Sequence, residues 1–359
     1  MSPAEQPILA QWILDTRSWF PEVTSTQQLE THAARAFSFL PPSARTAILR
    51  YYHPRDAKMA LASALLKHYA VAKLSHTPCN NNNPDGAFTR DARTKPVYID
   101  PATGAQPVSF NVSHQAGIVA IIAVAGYHPP PPPRTAPSSS TNEREAGQAE
   151  AGAEVGVEVG VDVVCTSERR ARDHAMIARD GWPAFVDMHA DVFAPGEVAY
   201  LKHRVLLRMA SSVGGGGGAP TTEQLVDVKL RAFYALWALR EAYVKLTGEA
   251  LLADWLRELE FVDFRPPRPT AGWEVPAREG GGQEDRDGED AEVIRRIDIR
   301  FKGNKVEDVN MCLRSVGQDY MIATAVRTPG RKEDGLGWGL GPYEILSLEE
   351  VLDFAESSR

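Results

Sequence analysis

The stretch Leu230 to Gly248, LRAFYALWALREAYVKLTG, leaves little freedom in how the chain around it can fold. On a helical wheel Leu230, Phe233, Tyr234, Trp237 and Val244 form one stripe, and Leu236, Leu239 and Tyr243 cover another flank. A helix apolar nearly all round has to be wrapped on most sides by the rest of the molecule. Glu241 stands in the middle of the aromatic stripe, with Lys245 one turn further on. A carboxylate on such a face is costly unless a cation or hydrogen-bond donors satisfy it. The partners of Glu241 therefore have to come from elsewhere in the chain.

A chain of 359 residues, 43% hydrophobic and 24% charged, can build a large core as one domain or two. Its net charge of −8 argues against a nucleic-acid binder, which would show a basic face. Cys79, Cys165 and Cys312 are odd in number and widely spaced, so neither a disulfide framework nor a CxxC metal pair is expected. The opening MSPAEQPILAQWIL lacks a basic segment followed by an apolar core, and no apolar run is long enough to span a bilayer. A cytoplasmic protein with no membrane or nucleic-acid partner is expected, and a monomer.

Residues 1–45 show no clear period. A helix is expected from Pro54 to about Leu74, with proline at its first position and Ala57, Leu61, Leu65 and Tyr69 on one face. Strands are expected at Pro96–Ile99, Val108–Val112 and Gly117–Ala125, the last a continuous apolar run that fits burial on both faces. Polyproline, PSSSTN and an acidic Ala/Gly tract then interrupt the chain. Val155, Val157, Val159, Val161 and Val163 alternate with Gly156, Glu158, Gly160 and Asp162, which is a strand pattern. A helical region follows around Ala184–Lys202, then the glycine run Gly214–Gly218. Strands at Leu259–Phe264, Ile297–Phe301 and Tyr320–Val326 close the core, with an acidic insertion at Gly280–Asp290. Ser347 and Glu350 form a capping box for a last short helix.

This order gives an α+β fold of two similar lobes, each a long helix on a small, mostly antiparallel sheet, as a pseudo-twofold duplication would produce. The expected boundaries are 1–127 for the first lobe, 128–152 for a linker or insertion, 153–328 for the second lobe and 329–359 for a C-terminal extension. Low-complexity insertions fall near 211–222 and 276–291.

Three stretches could carry chemistry. Glu158 and Asp162 share one face of the valine strand beside Gly156 and Gly160. Carboxylates next to glycines admit a metal ion or phosphate, and they equally fit the exposed face of an edge strand. In SFNVSHQAG, Ser109, Asn111 and Ser113 share a strand face, and His114 is placed where the strand gives way to a turn. Adjacent Ser and His point apart, so they are not a nucleophile–base pair; they can present donors to phosphate or simply end a polar strand. Arg55, Arg90, Arg93 and Lys95 can grip phosphates or be solvated surface. The glycine run lacks a following Lys-Ser/Thr and is a loop rather than a phosphate cradle.

Taken together, PRDAKMALASALLK, TRDARTKPVY, FNVSHQAG, VGVDVV and WALREAYVKLTG resemble the 4′-phosphopantetheinyl transferases, in the large pseudo-dimeric class, and stand in that family's order over roughly residues 45–326. The GVD followed by W-x-x-[KR]-E-A-[YF]-x-K is the most specific part. The resemblance implies transfer of the 4′-phosphopantetheine arm of coenzyme A to a serine of apo acyl or peptidyl carrier proteins, with release of adenosine 3′,5′-bisphosphate. It implies Mg²⁺, or Mn²⁺, on Asp162 and Glu241, with the coenzyme A pyrophosphate completing the shell. Glu241 would take the serine proton and Lys245 would hold the pyrophosphate. Arg55, Arg90, Lys95, Asn111, Ser113 and His114 match the family's coenzyme A contacts, with His114 and Arg55 at the 3′-phosphate.

Two positions depart from the bacterial pattern. Val164 stands where a second acid often follows the aspartate, and Glu158 is not expected to replace it. Arg240 stands where lysine is commoner and keeps the charge. A metal-dependent hydrolase of coenzyme A or a related pyrophosphate, and a non-catalytic coenzyme A or carrier-binding module, are the competing readings. Trp237 and Phe233 are expected to be core packing.

Overall fold

The computed structural model describes residues 6–75, 87–128, 156–209, 219–249, 253–262, 264–272 and 292–358. The asparagine-rich loop with Cys79, all of the 128–152 linker but His128, the glycine run Gly214–Gly218 and the Gly280–Asp290 insertion lie outside them.

Among the described residues, two four-stranded sheets pack face to face. The first is built from β1 (Ile8–Asp15), β2 (Val108–Gln115), β3 (Ile118–Ala125) and β7 (Glu344–Leu346), in the order β7-β1-β3-β2. The second holds β4 (Glu158–Cys165), β6 (Tyr320–Arg327), β5 (Asn310–Val316) and the short strand Val293–Ile294, in that order. Pairings are antiparallel throughout, except that β7 runs parallel to β1. Helix α1 (Pro54–Ser75) covers β2 and β3, and helix α5 (Thr222–Thr247) covers β4 and β6. Helices α2 (Arg170–Asp180), α3 (Trp182–Asp187) and α4 (Pro195–His203) lie between β4 and α5 in the chain. Smaller strands pair outside these sheets, including the hairpin Phe88–Arg90 with Pro96–Tyr98.

Side-chain alternation explains the layering. In β3, Val119, Ile121 and Ala123 join the core under α1, while Ile118, Ala120, Ile122 and Val124 join the core between the sheets. Both faces are apolar because both are covered. Val157, just before β4, and Val159, Val161 and Val163 within it face the first sheet, and Val164 joins the core around α5. Gly160 lies on that second face. A Cβ there would stand 2.0 Å from the carbonyl oxygen of Ala242 and 2.7 Å from the Leu246 nitrogen. The glycine beside Asp162 is thus required for helix-on-strand contact, a different reason from close approach of a phosphate.

Helix α5 starts earlier than its apolar stripe, at a capping box in which Thr221 Oγ1 accepts from the Gln224 N–H at 3.3 Å. It ends at Gly248, whose φ of +79° suits the left-handed cap. Several elements fall outside the sequence expectation, among them β5, an interior strand that no expected strand covers. β1 lies in the stretch without period, because an interior strand between two neighbours is covered on both sides and even Gln11 is buried. The region Ala184–Lys202 divides into α3 and α4, after an additional helix, α2. The C-terminal segment folds back onto the first sheet: β7 pairs with β1, and helix α6 (Leu348–Ser357) packs on α1, with Phe354 against Tyr69 at 4.9 Å between ring centroids. Arg35 clasps α6 through Glu356, Asp353 and Glu349, and Ser347 and Glu350 make the expected capping box.

Replacing Gly160 by alanine sets a methyl group against backbone that cannot give way locally. Gly160→Ala is expected to cost about 3 kcal/mol of stability, read as a lower urea midpoint; an unchanged midpoint would show that α5 can move off β4 freely.

Candidate active site

Strand β4 is an edge strand of its sheet, and its outward N–H groups are buried against β2. Buried backbone donors need acceptors. Side chains of β2 supply them at every second residue: Asn111 Oδ1 accepts from the Val161 N–H at 2.9 Å, Ser113 Oγ from Val163 at 3.3 Å, and Gln115 Oε1 from Cys165 at 3.0 Å. The polar face of SFNVSHQ thereby fixes β2 against β4 in one register. It also carries Ser113 to Asp162.

Ser113 Oγ donates to Asp162 Oδ1 at 2.9 Å. Lys245 Nζ donates to the same carboxylate oxygen at 2.6 Å and to Ser113 Oγ at 2.9 Å. Asp162 and Ser113 are each 6% exposed, so this triangle is held mostly out of water. Among the described residues no side chain hydrogen-bonds Glu241, one turn before Lys245. Burial, and then the negative charge of Asp162, push its carboxyl up to about 7 against the pull of Lys245. Two acids therefore share one ammonium. Two carboxylates that crowd each other are a donor set a divalent cation relieves, and Mg²⁺ takes few carboxylates when phosphate and water oxygens fill the rest. The described residues contain no group of three or more His, Cys, Asp or Glu that could hold a metal alone, so further oxygens must come with the ligand and from water.

The triangle opens on a cleft of about 390 Å³, lined on one side by Ser113, His114, Asp162 and Lys245. His114 lies on β2 itself, since the strand runs to Gln115 and the turn follows at Ala116 and Gly117, both with positive φ. The cleft's partial desolvation and the Lys245 ammonium lower its pKa. Arg55 stands beside the cleft residues, 3.6 Å from Glu168, which accepts from Gln115 Nε2 at 2.9 Å. Asn111 is 5% exposed and spent on the β4 backbone. Lys95 does not line the cleft; its Nζ donates to the last-turn carbonyl of Leu246 at 3.1 Å and to Val159 O at 3.4 Å. Arg90 closes its own hairpin by donating to Thr94 O at 2.6 Å. Glu158 is occupied by Arg327 at 2.5 Å and Arg93 at 3.2 Å. Val164 lines the cleft where the second acid is missing.

Arg240 does more than keep a charge. It is 1% exposed, pairs with the equally buried Glu197, and donates to the carbonyls of Leu256 at 2.5 Å and Leu259 at 2.8 Å. Glu197 also accepts from the N–H groups of Ala194 and Phe261, each at 2.9 Å. The guanidinium lies over the rings of Phe193 and Phe261. One planar cation thus ties α4 and the strand at Leu259 to the helix that carries Glu241.

The opposite side of the cleft was not legible beforehand. Arg169 and Asp173, at the start of α2, with Phe185 and His189, in and just after α3, line it together with Phe233, Tyr234 and Trp237 of α5. Phe233 is buried as expected, but Trp237 is half-buried and forms cleft wall. Tyr234 donates to Asp173 at 2.5 Å. No spacing rule links residues so far apart in sequence; the one available signal was Gln115, which continues the period of Asn111 and Ser113.

Two family models match the chain: 4′-phosphopantetheinyl transferase, N-terminal, over residues 24–126, and the 4′-phosphopantetheinyl transferase superfamily over residues 158–283. The chain is 40% identical over 359 residues to 4′-phosphopantetheinyl transferase 1 of Fusarium mangiferae, covering 100% of this chain and 99% of that protein. It is 31% identical to 4′-phosphopantetheinyl transferase NpgA of Emericella nidulans, over 97% of this chain and 94% of the relative. A shorter match, 32% over 117 residues and 31% of this chain, joins it to 38% of the L-aminoadipate-semialdehyde dehydrogenase-phosphopantetheinyl transferase of Schizosaccharomyces pombe.

Lysine at position 240 keeps the charge but cannot reach two carbonyls and a carboxylate in one plane. Arg240→Lys is expected to lose about 2 kcal/mol in urea unfolding. Stability equal to that of the parent protein would reduce Arg240 to a generic cation.

Proposed function

The chain belongs to the 4′-phosphopantetheinyl transferase family, whose members move phosphopantetheine from coenzyme A to carrier proteins, and on that premise we propose that Asp162, Glu241 and Lys245 form its catalytic centre. The observation that carries this reading is the convergence of β2, β4 and α5 on one point: Ser113, Asp162 and Lys245 within 2.9 Å of one another, with Glu241 held at about 7 beside them.

In the proposed reaction the carrier serine oxygen attacks the β-phosphorus of coenzyme A. A new P–O bond forms to the serine, and the bond from that phosphorus to the bridging oxygen breaks. Adenosine 3′,5′-bisphosphate leaves with the electron pair. Glu241 takes the serine proton. Lys245 stabilises charge on the leaving oxygen, and Ser113 keeps Lys245 and Asp162 oriented. Asp162 and Glu241 would hold Mg²⁺, or Mn²⁺, which when bound with the pyrophosphate supplies charge neutralisation.

Arg55, Ser113 and His114 are the coenzyme A contacts that this geometry supports, with Arg55 and His114 for the 3′-phosphate. Asn111 and Lys95 act through position: one sets β4, the other the end of α5. Arg90 steadies the hairpin that bears Lys95. Carrier proteins are proposed to approach at the cleft mouth, where the exposed Arg55 and Arg169 stand beside Asp56, Glu168 and Asp173. We assign the lobes to residues 1–127 and 153–328, related by duplication, with 329–359 completing the first; the helix-on-two-strands unit repeated in α1 and α5 supports that assignment. A cytoplasmic monomer is part of the proposal. Among the described residues no helix is long and apolar enough to cross a membrane.

The test is to incubate the protein with coenzyme A, Mg²⁺ and an apo carrier protein and to record the carrier's intact mass. A gain of one phosphopantetheine is expected; coenzyme A consumption without that gain would mean hydrolysis. Glu241→Gln is expected to lower the transfer rate by about a thousandfold or more while the protein stays folded. Near-parental turnover in that variant would remove Glu241 from the mechanism.

A further inference from the structure

The wall of the cleft is unevenly built. Its β4 and α5 sides belong to the core, while the side made by α2 is held largely by polar contacts. Of the residues Arg170–Asp180 only Asp173 and Ile177 are buried, with Met176 packed partway against the core. A helix with so few buried apolar contacts is among the first parts of a fold to open. The elements on either side of it are firmly seated. Just after β4, Thr166 gives its N–H to Asp319 O at 2.8 Å and its hydroxyl to the same oxygen at 3.1 Å. Just after α2, Trp182, Phe185 and Val186 of α3 are core residues, and Trp182 Nε1 donates to Leu201 O at 2.7 Å. The joint between α2 and α3 is Gly181, at φ +86° and ψ 155°, a conformation that a side chain would resist.

Among the described residues, the side-chain hydrogen bonds that tie α2 to the rest of the chain all go to α5. Two lie outside the cleft: Arg170 donates to both oxygens of Asp227 at 2.8 Å, and His174 Nε2 lies 2.7 Å from Asp227 Oδ1. Arg170 and Asp227 keep access to water, so these pairs are weak. The third lies inside. Tyr234 donates to Asp173 Oδ2 at 2.5 Å, and burial and that carboxylate push the phenol pKa up, so it stays a donor. Asp173 is 1% exposed, but its Oδ1 has no hydrogen-bond partner, and Arg169 Nε stands 3.8 Å from it. A buried acceptor left unsatisfied works against the arrangement that buries it. Swinging α2 away from α5 would return that oxygen to water and uncover little apolar surface beyond Ile177 and Met176.

We propose that α2 is a lid on the cleft, hinged at Gly181 and at the residues that follow the Thr166 anchor, shut in this structure and poised to open. Arg169 and Asp173 line the cleft only while α2 lies on α5. With α2 swung out, the side of the cleft at Phe185, His189 and Tyr234 is open to solvent. With α2 shut that side is walled off, which keeps bulk water from chemistry at the far end. The weak outer contacts at Asp227 and the unsatisfied Asp173 inside leave the two positions close in free energy. A ligand that fills the cleft meets the α2 wall in the shut state alone, so it shifts the lid toward closure.

Amide hydrogen exchange on the full chain, read by mass spectrometry, tests the lid. In the free protein the α2 amides are expected to exchange at least about a hundredfold faster than those of α5 between Leu230 and Leu246; equal protection overturns the proposal. Asp227→Ala removes the outer contacts from a position outside the cleft. It is expected to speed α2 exchange about three- to tenfold and to leave α3 and β4 unchanged. No change in α2, or the same rise in all three elements, overturns it. Coenzyme A with Mg²⁺ serves as the occupant, which rests on the reading of the cleft as a coenzyme A site, and is expected to slow α2 exchange about tenfold or more. Binding seen by calorimetry without slower α2 exchange overturns the lid and leaves the transferase reading intact. Coenzyme A that fails to bind at all would sink the transferase reading, and the free protein and Asp227→Ala then decide the lid.

Discussion

Three side chains of β2 finish the edge of β4, and the proposed active site depends on that arrangement more than on any other contact. Asn111, Ser113 and Gln115 accept from alternate N–H groups of β4 where a further strand would otherwise be needed. An edge with unpaired donors is an open template; here it is closed by amides and a hydroxyl. A backbone ladder would have brought the strands close and left no room between them for function. Side chains hold them further apart, and one of the three, Ser113, also reaches the charged pair Asp162–Lys245. The joint between the sheets and the Ser113–Asp162–Lys245 cluster are therefore one hydrogen-bonded network.

The second sheet delivers the rest of that network through a close contact. Gly160 lets α5 lie directly on β4, which puts Lys245 within 2.6 Å of an aspartate two residues further along the strand. Arg240 and Glu197 fix the far side of the same helix with a buried ion pair whose remaining hydrogen-bonding capacity is largely met by backbone. A pair so enclosed contributes orientation more than stability. Its effect is to stop α5 from rotating, which would carry Glu241 away from Asp162.

Much of this was legible in the sequence because periodicity reports burial. The valine alternation in β4, the unbroken apolar run of β3 and the wheel of α5 each state which faces are covered, and α1 and α5 follow from them. Glu241 stood out as a carboxylate on an apolar face, and Ser113 by its strand period; Asp162 and Lys245 gained their roles from the family resemblance. β1 was hidden because a strand between two neighbours, covered on both faces, has no alternation to read. The inner cleft wall was hidden for another reason: Asp173 and His189 sit among helices whose own patterns are ordinary, and only the fold brings them to α5. Lys95 and Asn111 read as ligand contacts because their motifs match those of the family; in the fold Lys95 Nζ donates to Leu246 O and Asn111 Oδ1 accepts from the Val161 N–H.

The return of β7 and α6 to the first sheet has a consequence for how the molecule is made. β7 pairs with β1, whose partner on the other side is β3, so the first sheet is completed by a segment that follows the whole second sheet in the chain. Until that segment is made, β1 is an open edge and part of α1 is bare where α6 will lie. Closure of the first half therefore waits on residues beyond the second, and a chain cut near residue 340 leaves the first sheet without its outer strand.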